Sequence, residues 1–104
     1  MKKSKIGVDI TKISRFFNKS DAFIKRVLSD AELFDFIQIE DIEGKAKFLA
    51  VRWAIKEAIF KADNSYVAFN KITIKEIDEG YLFKGFDIST SSEDDYIIAT
   101  VLRC

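Results

Sequence analysis

Histidine and proline are absent from the 104 residues, cysteine occurs once, and 17 acidic side chains cancel 17 basic ones. Each shortage excludes a class of chemistry. Without histidine there is no Ser-His-Asp triad, no histidine-ligated zinc and no imidazole base. A lone cysteine at position 104 permits no intrachain disulfide. Zero net charge removes the usual reason to expect bulk electrostatic binding to nucleic acid or to an anionic membrane. No long apolar run is present. Behind the basic residues Lys2, Lys3 and Lys5 the apolar stretch spans only Ile6 to Ile10 and is broken by Asp9. A secretory leader needs about 7–15 apolar residues there and a membrane helix about 20. Repeats and Gly-, Ser- or Pro-rich linkers are also missing, so one domain over residues 1–104 is expected, in a cytoplasmic protein. Asp, Glu, Lys, Arg, Ser and Tyr are left to carry any chemistry.

What is present suits a compact fold: 48% of residues are hydrophobic and 33% charged. Ile6, Val8 and Ile10 alternate with Gly7 and Asp9, the period of a half-buried strand. Thr11 can cap a short helix over residues 12–17, and Ser20-Asp21 can start another over 22–28. Ser29 and Glu32 have capping-box spacing, which predicts a helix to about residue 37. The longest helical pattern runs over about 45–62. Beyond it the period falls to two: residues 71–77 read as a strand, Asp78-Glu79-Gly80 as a turn, 81–83 as the returning strand and 95–103 as a last strand. Helices followed by antiparallel strands predict an α+β fold.

The long helix carries unusual charges. On a wheel of about 100° per residue, Phe48, Leu49, Val51, Ile55, Ile59, Phe60 and Ala62 cover more than half its circumference, which predicts deep burial. Lys45, Arg52 and Lys56 form one polar stripe; Glu57 and Lys61 form another, flanked by Ala50, Ala54 and Ala58. Glu57 and Lys61 fit an ordinary i, i+4 surface pair. Their small neighbours are a weaker sign that another group approaches closely there. Asp9 sits in a strand beside a residue without a side chain, either on an exposed face or facing a cleft. Together, Asp9 and Glu57 could give a hard cation such as magnesium two oxygen ligands.

Three blocks in order are recognisable: Ile6-Gly7-Val8-Asp9-Ile10 with Ile13 to Phe16; Arg26-Val27-Leu28-Ser29 with Glu32; and Phe48 to Ala58 with Lys61-Ala62. They resemble the holo-acyl-carrier-protein synthases, the short bacterial type of 4′-phosphopantetheinyl transferase, and Ile88 to Ser92 with Tyr96, Ile98 and Ala99 resembles the closing strand of that family. The resemblance implies a Mg2+-dependent transferase. It would move 4′-phosphopantetheine from coenzyme A to a serine of acyl carrier protein and release adenosine 3′,5′-bisphosphate, as a homotrimer with clefts between subunits. It implies metal ligands at Asp9 and Glu57, an active-site lysine at Lys61, and a basic residue at Arg52. Lys56 and Lys45 are further candidates for coenzyme A phosphates, and Arg15, Lys19, Lys25 and Arg26 for docking an acidic carrier protein. The serine proton acceptor is left open between a water and Glu57. Ser92 stands where the family usually has a histidine, and the segment after Lys61 is short. Those departures leave a non-catalytic, carrier-binding scaffold as the alternative. A magnesium-dependent phosphohydrolase would suit the same three residues, whereas a Walker-type phosphate loop is absent.

Overall fold

The computed structural model describes residues 5–104, so Lys2 and Lys3 of the basic amino-terminal run lie outside it. Strand β1 (Ile6–Lys12) leads through a 3-10 turn (Ile13–Phe16) to α1 (Asp21–Val27), α2 (Asp30–Gln38) and α3 (Ile42–Ala62). A second 3-10 turn (Phe69–Lys71) precedes β2 (Lys75–Ile77), β3 (Gly80–Leu82), β4 (Phe86–Glu93) and β5 (Tyr96–Arg103). Antiparallel β1, β5 and β4 form a sheet in the order β1-β5-β4, and β2 and β3 form a separate hairpin. The architecture is α+β.

Local chemistry starts each helix. The Ser20 hydroxyl accepts from the Phe23 amide, and Ser29 with Glu32 makes the expected capping box. Helix α3 begins three residues earlier than its apolar periodicity suggests. Asp41 caps it by accepting from the Gly44 amide at 2.7 Å, so residues 42–44, ahead of the expected start, belong to the first helical turn.

Helix α3 packs on one face of the three-stranded sheet. Leu49, Ala50, Ala54, Ile55, Ala58 and Ile59 are buried on the helix, as are Ile97, Ala99 and Val101 on β5. Each large aliphatic side chain among them contributes about 1.5–3 kcal/mol by leaving water. Contact is closest at β1. A Cβ on Gly7 would lie 1.8 Å from the Ala58 carbonyl oxygen, so only glycine lets strand and helix backbones meet.

That contact turns β1 over relative to the simplest reading of its pattern. Gly7, Asp9 and Thr11 face α3, while Ile6, Val8 and Ile10 point outward, each more than half exposed. The period is as expected; the buried face is the small, polar one.

Three other elements differ from expectation. The helix anticipated over 12–17 is shorter, because β1 runs on to Lys12, and Thr11 caps nothing. Of residues 71–77 only 75–77 form a strand. Ile72 and Ile74 are buried in extended chain, where the Ile74 amide donates to the Glu32 carboxylate at 2.7 Å instead of to a neighbouring strand. Residues 88–92, expected with 96–99 in one closing strand, lie in a strand of their own, the largely exposed β4, which pairs antiparallel with β5.

Candidate active site

Asp9 on β1 and Glu57 and Lys61 on α3 come together where Gly7 lets the two elements touch. The Lys61 ammonium donates to the Val8 carbonyl at 3.0 Å and to Asp9 Oδ1 at 3.1 Å. The Asp9 side chain is only 13% exposed, and its Oδ2 is buried with no hydrogen-bond partner among the described residues. Burial, followed by the negative charge of Asp9, holds the Glu57 carboxyl above its ordinary range against the opposing pull of Lys61 and Arg15.

Arg15 was expected on a docking face, yet it is close enough to influence Glu57. Its Nη1 donates to the buried Thr11 hydroxyl at 2.9 Å. Asp95 fixes the turn that carries it: the Asp95 carbonyl accepts from the Ile13 amide at 2.8 Å, and its carboxylate accepts from the Ser14 amide and hydroxyl. Sequence reasoning missed Thr11 and Asp95. The Thr11–Arg15 spacing was a usable sign; the contact with Asp95, 81 positions away from Ser14, offered none.

The remaining candidates lie elsewhere. Arg52 is buried between rings, its guanidinium 3.9 Å from the Phe48 centroid and 5.2 Å from that of Tyr81, with Glu76 at 3.4 Å. It borders a cavity of about 290 Å³ with Lys47 and Gly44. Ser92 lines a neighbouring cavity of about 180 Å³, which shares Lys47, Val51 and Tyr81. Lys45 donates to the Phe36 carbonyl at 3.0 Å and sits over the Phe36 ring. Arg26 and Lys19 both lie over the Phe23 ring, and Lys25 is exposed.

Lys56 occupies a different place from the one expected for a phosphate ligand. It is fully buried, and its ammonium donates to the Val27 carbonyl at 2.7 Å, the Phe69 carbonyl at 3.0 Å and the Glu32 carboxylate. All three donors are thus engaged. Burial pulls its pKa below the usual lysine range although Glu32 opposes the shift. Lys56 ties α1, α2 and α3 to the turn at Phe69, a structural role that a helical wheel does not distinguish from a surface charge.

Among the described residues no group of three or more His, Cys, Asp or Glu side chains forms a ready metal cage. Magnesium needs less, since it commonly takes one or two carboxylates with water and phosphate oxygens. The unpartnered Asp9 Oδ2 and the mutual repulsion of Asp9 and Glu57 fit a site built for such a cation.

Residues 5–101 match the family model described as the 4′-phosphopantetheinyl transferase superfamily. The chain belongs to the 4′-phosphopantetheinyl transferase superfamily. Over 98 residues, it is 52% identical to a holo-[acyl-carrier-protein] synthase of Mycoplasmopsis pulmonis, covering 94% of this chain and 88% of that protein. A holo-[acyl-carrier-protein] synthase of Mycoplasma mobile is 53% identical over 98 residues, with 94% and 87% covered. The fold superposes on a holo-(acyl-carrier-protein) synthase from Bacillus anthracis in complex with CoA (3′,5′-ADP), with a TM-score of 0.82 and 26% identity, covering 95% of this chain and 94% of that one. The family resemblance seen in the sequence is therefore correct, and the chain is a transferase of the phosphopantetheinyl superfamily.

Proposed function

We propose that this transferase is a holo-acyl-carrier-protein synthase: it moves 4′-phosphopantetheine from coenzyme A to a serine hydroxyl of apo acyl carrier protein, with Mg2+, releasing adenosine 3′,5′-bisphosphate. The observation that carries this reading is the meeting of Asp9, Glu57 and Lys61 at the β1–α3 contact, in a chain alike over 94% of its length to a protein named for that activity. Asp9 and Glu57 would hold the magnesium ion, which when bound supplies positive charge to a pyrophosphate. The serine oxygen forms a bond to the β-phosphorus as the bond to the bridging oxygen breaks; the hydroxyl proton passes to a water or to Glu57, and the electron pair leaves with the bisphosphate. Lys61, half exposed at the mouth of the site, can exchange its contact with Asp9 for a phosphate oxygen and offset the charge gathering there. Arg52, Lys45 and Ser92 are proposed for the other phosphates of coenzyme A. Lys19, Lys25 and Arg26, with Arg15 at the site edge, are proposed to meet an acidic carrier protein.

A homotrimer fits the outer sheet face. Ile6, Val8 and Ile10 on β1 lie beside Ile98 and Leu102 on β5, all exposed, an apolar surface of the kind that marks a protein interface. Subunits meeting there could complete clefts that one chain leaves open. No helix among the described residues is long and apolar enough to cross a membrane, and a cytoplasmic location remains the proposal.

The test is to incubate the protein with coenzyme A, magnesium and apo carrier protein and then weigh the carrier. A phosphopantetheine increment supports transfer. Carrier binding without an increment favours a scaffold, and bisphosphate released without carrier favours hydrolysis.

A further inference from the structure

Arg52 is satisfied in an unusual way. Its side chain is 4% exposed, its Nε is buried without a partner among the described residues, and the acid paired with it, Glu76, is 61% exposed. Glu76 and Tyr81 are directly opposed across the β2–β3 hairpin, and both approach the guanidinium. The hairpin is a separate small sheet, with strands of three residues each. It thus presents a carboxylate and an aromatic ring to a buried cation, across a cavity that Lys47 also borders.

The ion pair with Glu76 at 3.4 Å and the contact with the Tyr81 hydroxyl do not use Arg52 as the bidentate fork with which arginine can bind an oxyanion. A phosphate monoester entering the cavity would gain Arg52 and Lys47 but meet the charge of Glu76. Arg52 also precedes Glu57 by five positions, about 7.5 Å along the axis and 140° around it. An anion at Arg52 is therefore a different group from the pyrophosphate at Asp9, Glu57 and Lys61. Coenzyme A carries one such further group, the phosphate monoester on its ribose.

We infer that Glu76 is an internal competitor for this anion subsite: its carboxylate occupies Arg52 in the free protein and is displaced by the ribose phosphate of coenzyme A, so that residue 76 sets how strongly this substrate is preferred over its dephosphorylated form. The inference rests on the proposed use of coenzyme A and adds a determinant of affinity. Tyr81 and Phe48 stay as the walls that keep the guanidinium in place, and Glu76 is the part that moves.

The experiment compares Glu76→Gln and Glu76→Lys with the unaltered chain, measuring KM and kcat for coenzyme A and for dephospho-coenzyme A, and calorimetric binding of adenosine 3′,5′-bisphosphate. KM for coenzyme A should fall about two- to fivefold in Glu76→Gln, the scale of an ion pair with one exposed partner, and further in Glu76→Lys. The change should lie in KM more than in kcat and be much smaller for dephospho-coenzyme A. Unchanged or raised KM in both variants overturns the inference, because an acid that merely braces Arg52 would weaken binding when lost. If no form of the protein transfers phosphopantetheine, the functional reading fails. Tighter bisphosphate binding in the same graded order would then still support the competitor role, and its absence would remove that as well.

Discussion

Glu57 shows what a functional carboxylate costs the fold. Its ordinary pKa is 4.5, and burial beside Asp9 raises it. Between that value and the higher folded one, the folded chain binds a proton that the unfolded chain has released. The stability associated with Glu57 is therefore present at low pH and lost as pH rises through this window. In metal-free protein, Glu57→Gln should raise the urea midpoint at neutral pH, with the gain shrinking toward pH 4. Magnesium should stabilise the unaltered chain more than the variant. The same substitution and Asp9→Asn should each lower phosphopantetheine transfer by at least about 100-fold, with far-ultraviolet circular dichroism unchanged. Transfer near that of the starting protein in both variants would remove the metal-site assignment.

Helix α3 meets its neighbours through two kinds of contact that respond differently to substitution. At β1 the contact is backbone to backbone, so Gly7→Ala must push the strand away from Ala58. A loss of about 3 kcal/mol or more is expected, with transfer lost along with it, because Asp9 rides on the same strand. Chemical denaturation with parallel assays checks both. At Lys56 the contact is a buried ion pair. Lys56→Met leaves the Glu32 carboxylate in the core with only the Ser29 and Ile74 amides, and should cost about 3–5 kcal/mol. Adding Glu32→Leu should recover part of that loss if the unpaired charge is its source; a double variant no more stable than Lys56→Met would show that the hydrogen bonds matter more. The caps of α1 and α2 could be read locally, since Ser20 and Ser29 act within three residues. The start of α3 was harder to see, because Asp41 and Gly44 form a cap inside a stretch whose composition resembles a loop.

For the whole molecule, the sheet is packed on one side, and the opposite face is apolar along β1 and part of β5. Its inner face meets α3, while Ile6, Val8, Ile10, Ile98 and Leu102 remain exposed. Ile10→Asp should leave the subunit folded but shift its light-scattering mass to that of a monomer and reduce transfer. A trimer mass that persists in this variant would move the proposed interface elsewhere. The sequence by itself determined the α+β class, the strand period of β1, the helix caps and, through the ordered blocks around Asp9, Glu57 and Lys61, the superfamily. Those are local or motif properties, carried by residues close together in the chain or by their order. Only the tertiary structure decided which face of β1 is buried, that Lys56 is a core residue while Lys61 is half exposed, and that Arg15 approaches the carboxylates. Each depends on which side of one element another element covers. Here the close approach allowed by Gly7 buries the polar side of β1, overriding the usual preference for burying its isoleucines and valine.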